Sequence, residues 1–411
     1  MQKKPGLREK IGEEKKPKLG QYQYKGPLKR SVKIAEHYGF TIVKPITITK
    51  RLPLAISKNK KKSLNDDTIS MLPKGEISVL KKYIDGEMIK WPQPVMFCHV
   101  VNRSKDLTEL RLEIIGTRKS IAEAIIIRTA SVILEDLGYK DLYVALNSLG
   151  DKESATNFTR ELTAYYRSHV NSLSPTLQQQ FKKDVFRLLE SKNEKCLEIN
   201  KEAPKSIAFL SEDSRQHLRE VLEFLESLNL HYEINTNIVR NKNCCPKTIF
   251  EIYHKDQKKN DNLLLARGER QNNLAQVIGF SKKIPIVSLR LNVKGGIKRK
   301  EKYKRTRITS TTKPKIYFIQ LGFEAKLRSL EIIEIFRKTK VPIHQSLCRN
   351  SFRNQLIRAE NTGVPYTIIM GQKEVTENSV IFRNMETRYQ ETVKVQELGD
   401  YLTKLKKRKV I

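Results

Sequence analysis

The sequence has no apolar run that approaches the roughly 20 residues a membrane-spanning helix needs. Its N-terminus shows no signal-peptide core, and Glu9, Glu13 and Glu14 argue against a mitochondrial transit peptide. A cytoplasmic protein with no membrane partner is the expectation. The five cysteines (Cys98, Cys196, Cys244, Cys245 and Cys348) form no CxxC pair and no disulfide framework. Adjacent Cys244 and Cys245 lack zinc-site spacing and have only His254 nearby, so buried thiols in a reducing compartment, with no bound metal, are expected. No Walker-type loop or dinucleotide fingerprint occurs. The histidines (His37, His99, His169, His217, His231, His254 and His344) are scattered without a paired base and nucleophile, and read as structural or surface residues. Aromatic residues are also sparse at 7%, although the 38% hydrophobic content suffices for globular folding.

What the chain has in excess is positive charge. Lysine and arginine number 79 against 45 acids, a net of +34 over 411 residues. Such an excess repels itself in the folded state and is relieved by a polyanionic partner, so nucleic acid is the expected one. The length suggests two or three domains.

Residues 1–30 hold ten Lys/Arg, three Glu and three prolines, and predict a disordered basic arm. From Ser31, "SVKIAEHYGF" has helical apolar spacing and "TIVKPITIT" reads as a strand. The run "SIAEAIIIRTASVILEDLGY" predicts a long amphipathic helix with Ser120 as N-cap and Gly138 near its end. "DLYVALNSLG" reads as a buried strand. Residues 151–230 are mostly helical, and short strands return with "YEINTNIV", "TIFEIYH" and "IPIVSLRLNV". The stretch 294–307, with eight Lys/Arg and one Glu, opens a basic interdomain linker over 294–314. Beyond it, residues 315–405 alternate strands and helices, which predicts a small α/β domain with a mostly parallel sheet. A basic tail, 406–411, closes the chain.

This order of elements, with "LNSLGD" (146–151), "SEDSRQHLREVLEFLESLNLHYEINTNIVR" (211–240), "KIYFIQLGFEAKLRSLEIIEIFRK" and "FRNQLIRAENTGVPYTIIMGQKE", resembles the histidine–tRNA ligases, a class II aminoacyl-tRNA synthetase family. The resemblance spans roughly residues 31–405. It implies an α+β fold: an antiparallel class II core over 31–293 with a helical insertion near 151–230, followed by an α/β anticodon-binding domain. It also implies a homodimer through the motif 1 region near 37–48.

Position by position, the active-site motifs of that family are eroded. Its Arg-Pro-Glu-Gly-Thr run corresponds to "LPKGE" (72–76), with Leu72 for arginine, Lys74 for glutamate and Glu76 for threonine. Motif 2 corresponds to "VNRSKDL" (101–107), which keeps Arg103 where the α-phosphate arginine belongs but has Lys105 for glutamate. Glu113 matches a glutamate that holds the histidine ligand. The histidine-binding motif corresponds to "VRNKNCC" (239–245), where Arg240 survives and the glycine, aspartate and both tyrosines do not. A site built on hydrogen bonds discriminates only while those partners exist. A Gly-Gly-Arg-Tyr-Asp turn corresponds to "ARGERQ" (266–271). In motif 3, Gly295 falls where a phosphate-gripping arginine should be. Arg290 is close by, but neighbouring strand positions face opposite ways, so it is not expected to substitute.

Losing even one preorganised charge contact costs about 10²–10³ in rate, so no aminoacylation is expected. Arg103, Glu113 and Arg240 are the remnant ligase positions. No cofactor is expected, and ATP with magnesium would be used only if ligase activity survives. The expected role is binding of tRNA or another structured RNA. Its contacts would come from Lys298, Arg299, Lys300, Lys302, Lys304, Arg305 and Arg307 in the linker. Arg349, Arg353, Asn354 and Arg358 would add to them, with Asn350 and Gln355 interleaved. The alternatives are an active divergent ligase and a regulatory subunit of ATP phosphoribosyltransferase, although such subunits typically lack the anticodon domain.

Overall fold

A computed structural model describes residues 24, 26–43, 74–102, 107–240, 247–256, 261–294, 314–408 and 411. Arg103, Cys244, Cys245, Gly295 and the linker cations Lys298, Arg299, Lys300, Lys302, Lys304, Arg305 and Arg307 lie outside them. So do 44–48 of the expected motif 1 region.

The chain order follows from a few apolar stripes. Helix α1 (Gly26–His37) buries Leu28, Val32, Ile34 and Ala35. It begins inside the stretch read as a disordered arm, because Leu28 joins the same apolar face as Val32 and Ala35. Strand β1 (Thr41–Ile42), helix α2 (Lys74–Asp85) and the hairpin of β2 (Val95–Asn102) with β3 (Leu107–Ile115) follow. Helix α3 (Ile121–Asp136) leads to β4 (Leu142–Ser148). The insertion is α4 (Lys152–Ser168), α5 (Pro175–Lys183), α6 (Phe186–Leu189) and α7 (Glu194–Lys201). The core resumes with α8 (Glu212–Ser227), β5 (His231–Ile234), β6 (Thr248–Asp256), β7 (Asp261–Gln271), α9 (Leu274–Val277) and β8 (Ile286–Lys294).

These eight strands form one sheet in the order β1-β2-β3-β8-β7-β6-β4-β5. All of its pairings are antiparallel except β1 with β2 and β4 with β5, one at each edge. Helix α3 differs from its reading as amphipathic: it is buried almost all round, from Ile121 through Leu134. It lies between the sheet, α1, α8 and the C-terminal domain, so it has no wet face. Ser120 does not cap it. The residue is itself helical, and its hydroxyl donates to Glu220 of α8 instead. Helix α8 buries Val221, Phe224 and Leu225 against α3 in the main core, whereas α4–α7 share a separate cluster around Phe158, Tyr166 and Phe186.

The C-terminal domain runs β9 (Ile316–Gln320), α10 (Phe323–Thr339), β10 (Ile343–Gln345), α11 (Phe352–Thr362), β11 (Tyr366–Met370), α12 (Gln372–Thr376), β12 (Ser379–Asn384), β13 (Gln390–Lys394) and α13 (Leu398–Lys407). Its sheet, β10-β9-β11-β12-β13, is mixed and not mostly parallel. The first two pairings are parallel and the last two antiparallel. The β12–β13 pairing is antiparallel because a tight turn at 385–389, with Arg388 at φ +62°, returns the chain as a hairpin with no helix between.

The two domains share one apolar core through α10. A polar clamp fixes their relation: Tyr38 Oη donates to buried Glu334 at 2.8 Å, and Arg337 grips the same carboxylate at 2.6 and 2.9 Å. Gln345 Nε2 donates to Tyr38 O at 3.0 Å. It reaches that carbonyl because Gly39, at φ +96°, leaves no Cβ in its way. Replacing Tyr38→Phe leaves the buried carboxylate short of one donor. A loss of about 1–3 kcal/mol in urea denaturation followed by circular dichroism is expected.

Candidate functional site

The remnant ligase residues that the structure describes, Glu113 and Arg240, share one face of the large sheet. The register explains this. One transverse row reads His99–Arg111–Arg290–Arg267–Glu251 across β2, β3, β8, β7 and β6. The next row reads Phe97–Glu113–Ser288–Glu269–Ile249. Residues two apart on a strand share a face, so both rows line the same surface. Arg290 stands level with Arg111 and looks onto this surface.

Cationic side chains directly opposite one another destabilise a sheet unless carboxylates intervene. Here the chain supplies them. Arg111 pairs with Glu109 through its Nε and lies 3.9 Å from Glu76. Glu76 stands where the family has threonine, and it also accepts from Ser288 Oγ at 3.4 Å. Arg240 reaches Glu269 at 3.2 Å and Glu251 at 3.5 Å. Arg267 reaches Glu251 at 3.0 Å. Glu113, fully buried, faces His99 Nδ1 at 3.1 Å. Burial and the neighbouring Glu76 push the Glu269 carboxyl up against the pull of Arg240 and Arg290.

On this face Glu76, Glu109, Glu113, Glu251 and Glu269 lie among Arg111, Arg240, Arg267 and Arg290. A surface that neutralises triphosphate needs arginines free to present their planar fork to oxygen. Three of these four are already paired to the protein's own carboxylates. The described residues contain no group of three His, Cys, Asp or Glu that could hold a metal ion.

A second ionic cluster lies beneath the C-terminal end of β7. Arg270, wholly buried, donates Nε and Nη2 to Glu123 of α3 at 2.6 Å each, and binds Thr117 O at 2.8 Å and Lys119 O at 2.9 Å. His217 Nε2 lies 2.8 Å from the same carboxylate. Burial alone would raise the Glu123 carboxyl, but Arg270 and His217 outweigh it and hold it at about 2. His217, expected to be structural or at the surface, is structural, whereas Arg270 is not singled out in the sequence. An isolated Glu in the apolar run "IAEAIII" was the available signal that a buried partner must exist.

The C-terminal domain contrasts with the sheet face. Arg349, on the loop before α11, and Arg358, within α11, are half-buried and close enough that each cation opposes the other. Burial first, then Arg358, pulls the Arg349 guanidinium below its ordinary value. Arg353 is exposed on the first turn. Among the described residues none of these three forms a salt bridge with a carboxylate. Asn354 is exposed, with its backbone N–H given to Ser351 Oγ, the N-cap. Gln355 is not a reader of bases: it is buried and its amide spans Gln320 N and Gln320 O. Asn350 Oδ1 accepts from Lys326. Not anticipated from sequence is a cleft of about 600 Å³ at the far end of α11, lined by Leu356, Glu360, Tyr366, Arg383, Met385 and Arg388. Arg383 Nε is buried there without a hydrogen-bond partner.

Comparison with known proteins bears on both surfaces. The family model described as "Anticodon binding domain" matches residues 315–405. The histidine–tRNA ligase of Fervidobacterium nodosum is 27% identical over 353 residues, covering 82% of this chain and 82% of its own length. That of Halothermothrix orenii is 26% identical over 348 residues, again covering 82% of each. The chain is a relative of the histidine–tRNA ligases. The crystal structure of apo histidyl-tRNA synthetase from S. aureus aligns with 92% of this chain and 94% of its own, at 19% identity and a TM-score of 0.49. This relative of the ligases keeps the class II type of architecture, an antiparallel-rich core sheet followed by an anticodon-binding domain. Its described helices include none long and apolar enough to cross a membrane.

The Glu123 carboxyl, held below its ordinary value of 4.5, contributes stability that is complete above that value and lost as pH falls towards about 2. Glu123→Gln leaves Arg270 buried without its counter-charge, at an expected cost of about 3–5 kcal/mol near neutral pH. The gap between wild type and variant in denaturant midpoint should narrow as pH is lowered from 4.5 towards 2.

Proposed function

We propose that this relative of the histidine–tRNA ligases has lost aminoacylation and binds tRNA or another structured RNA through its C-terminal domain. One observation carries the reading: the pairing of arginines is opposite on the two surfaces. On the sheet face, Arg111, Arg240 and Arg267 are held by internal glutamates, so an incoming phosphate would have to displace a paired carboxylate. On the anticodon-binding domain, Arg349, Arg353 and Arg358 have no such partner among the described residues. Arginines of that kind bind phosphate oxygens, and unstacked bases enter neighbouring clefts. The cleft beside Tyr366 and Arg383 is within the roughly 300–1,000 Å³ range of ligand sites. Pairing of the chain into a homodimer is part of the same reading and is tested by light scattering.

A divergent but active ligase is the second reading. It is favoured by the one fact that Glu113 and Arg240 still share the pocket face. Histidine-dependent ATP–pyrophosphate exchange separates the two. The expected result is no exchange above background from folded protein, with an intact ligase as positive control. Exchange above background would sink the inactive reading. For RNA, the affinity for a tRNA transcript should fall steeply with salt, with a slope close to the number of phosphates contacted. Arg353→Ala and Arg358→Ala should each weaken binding and lower that slope by about one.

A further inference from the structure

Resting on the RNA-binding reading, we propose that the junction between the core and the C-terminal domain, where Lys119, Lys326 and Arg349 converge, is a second contact that grips the phosphodiester backbone of the same RNA. Lys326 lies on α10, on the side turned to the core, and is only 6% exposed. An ammonium has three donors and no acceptor. The hydrogen-bond partner of Lys326 is a neutral one, the amide oxygen of Asn350. No carboxylate forms a salt bridge with Lys326 among the described residues. Glu220 acts on it from a distance but is itself engaged by Ser120 Oγ and Gln216. Burying a cation without a counter-charge is costly, and the cost is visible: burial and the nearby Lys119 pull the Lys326 ammonium below its ordinary value.

The surroundings add to the positive charge. Lys119 is exposed on the loop that enters α3, and Arg349 belongs to the loop that carries Asn350. Arg349 lies near the Cys348 thiol, which burial raises to about 11 against the pull of Lys326, a hydrogen bond with Thr117 and Arg270. Both loops are held in place. Arg270 pins the carbonyls of Thr117 and Lys119, and the Tyr38–Glu334–Arg337 clamp fixes α10 on the core. A surface spanning two domains binds without an ordering cost only if the domains are locked, as they are here. Arg349 stands close to Arg358 of α11, so the junction continues into the proposed RNA surface. A backbone phosphate supplies the missing anion, and the net charge of +34 favours a polyanion over an isolated ion.

The test is fluorescence anisotropy of a labelled tRNA transcript across a salt series, with full-length wild type, Lys119→Ala, Lys326→Gln and Arg353→Ala. Each junction variant should weaken binding several-fold and lower the slope of log affinity against log salt by about one. Lys119 is exposed, so its variant reports even if Lys326→Gln does not fold. Unchanged slopes in folded junction variants, with Arg353→Ala still lowering its own, would overturn the junction contact while leaving the RNA reading standing. Wild type that binds no RNA overturns both. Lys326-dependent binding of polyglutamate, with RNA binding insensitive to Lys326, overturns the proposal in favour of an acidic protein partner.

Discussion

The buried Arg270–Glu123 pair organises this molecule. It joins the central strand β7 to the central helix α3 at the point where the C-terminal domain docks. Arg270 uses all its inward donors there: two to the carboxylate and two to backbone carbonyls of the 117–119 loop. A pair so deeply buried is rarely a source of net stability, since desolvation offsets most of the attraction. In this packing of α3 against β7 both charges are satisfied. His217 of α8 adds a third element to the same point. Strand, two helices and loop thus meet at one point.

That fixed scaffold supports two surfaces with opposite charge economies. On the pocket face of the sheet, three of the four arginines are held by internal glutamates. The C-terminal domain and its junction with the core are unsaturated, with Arg349, Arg358 and Lys326 facing one another or a neutral amide. In a class II ligase the first surface would hold small anionic substrates. On the proposed reading the first surface no longer takes up such substrates, and the second binds a polyanion.

Much of the architecture was legible because it rests on periodicity. The apolar spacing of "FEAKLRSLEIIEIFRKT" and the apolar runs of "KIYFIQLG" and "PYTIIMG" give α10, β9 and β11 almost to their ends. Elements set by contacts distant in sequence were less legible. Helix α1 begins at Gly26 because Leu28 finds the core, and nothing in the lysine-rich local sequence announces that contact. The β12–β13 hairpin turns on a backbone conformation at Arg388 that an arginine seldom adopts. Ser120 looked like an N-cap by position, yet its hydroxyl goes to Glu220, a hundred residues away.

The amino-acid sequence by itself determined the class of fold, the excess of cationic side chains, and the identity of every substituted motif residue. Leu72, Lys74, Glu76, Lys105 and the pair Cys244–Cys245 are chemical facts before any folding. Only the tertiary structure decided what the surviving charges do. Glu109 and Arg111 are remote from Glu251 and Glu269 along the chain, and strand register places them on one face, to which side-chain contacts add Glu76 and Arg240. Arg290 belongs to that face by register too. The strength of a charge depends on what lies within a few ångströms of it, and sequence spacing carries that distance only within a single helix or strand. Across strands and between domains it is set by packing, which is why Lys326 shows itself as a cation without a counter-charge only once the C-terminal domain is docked on the core.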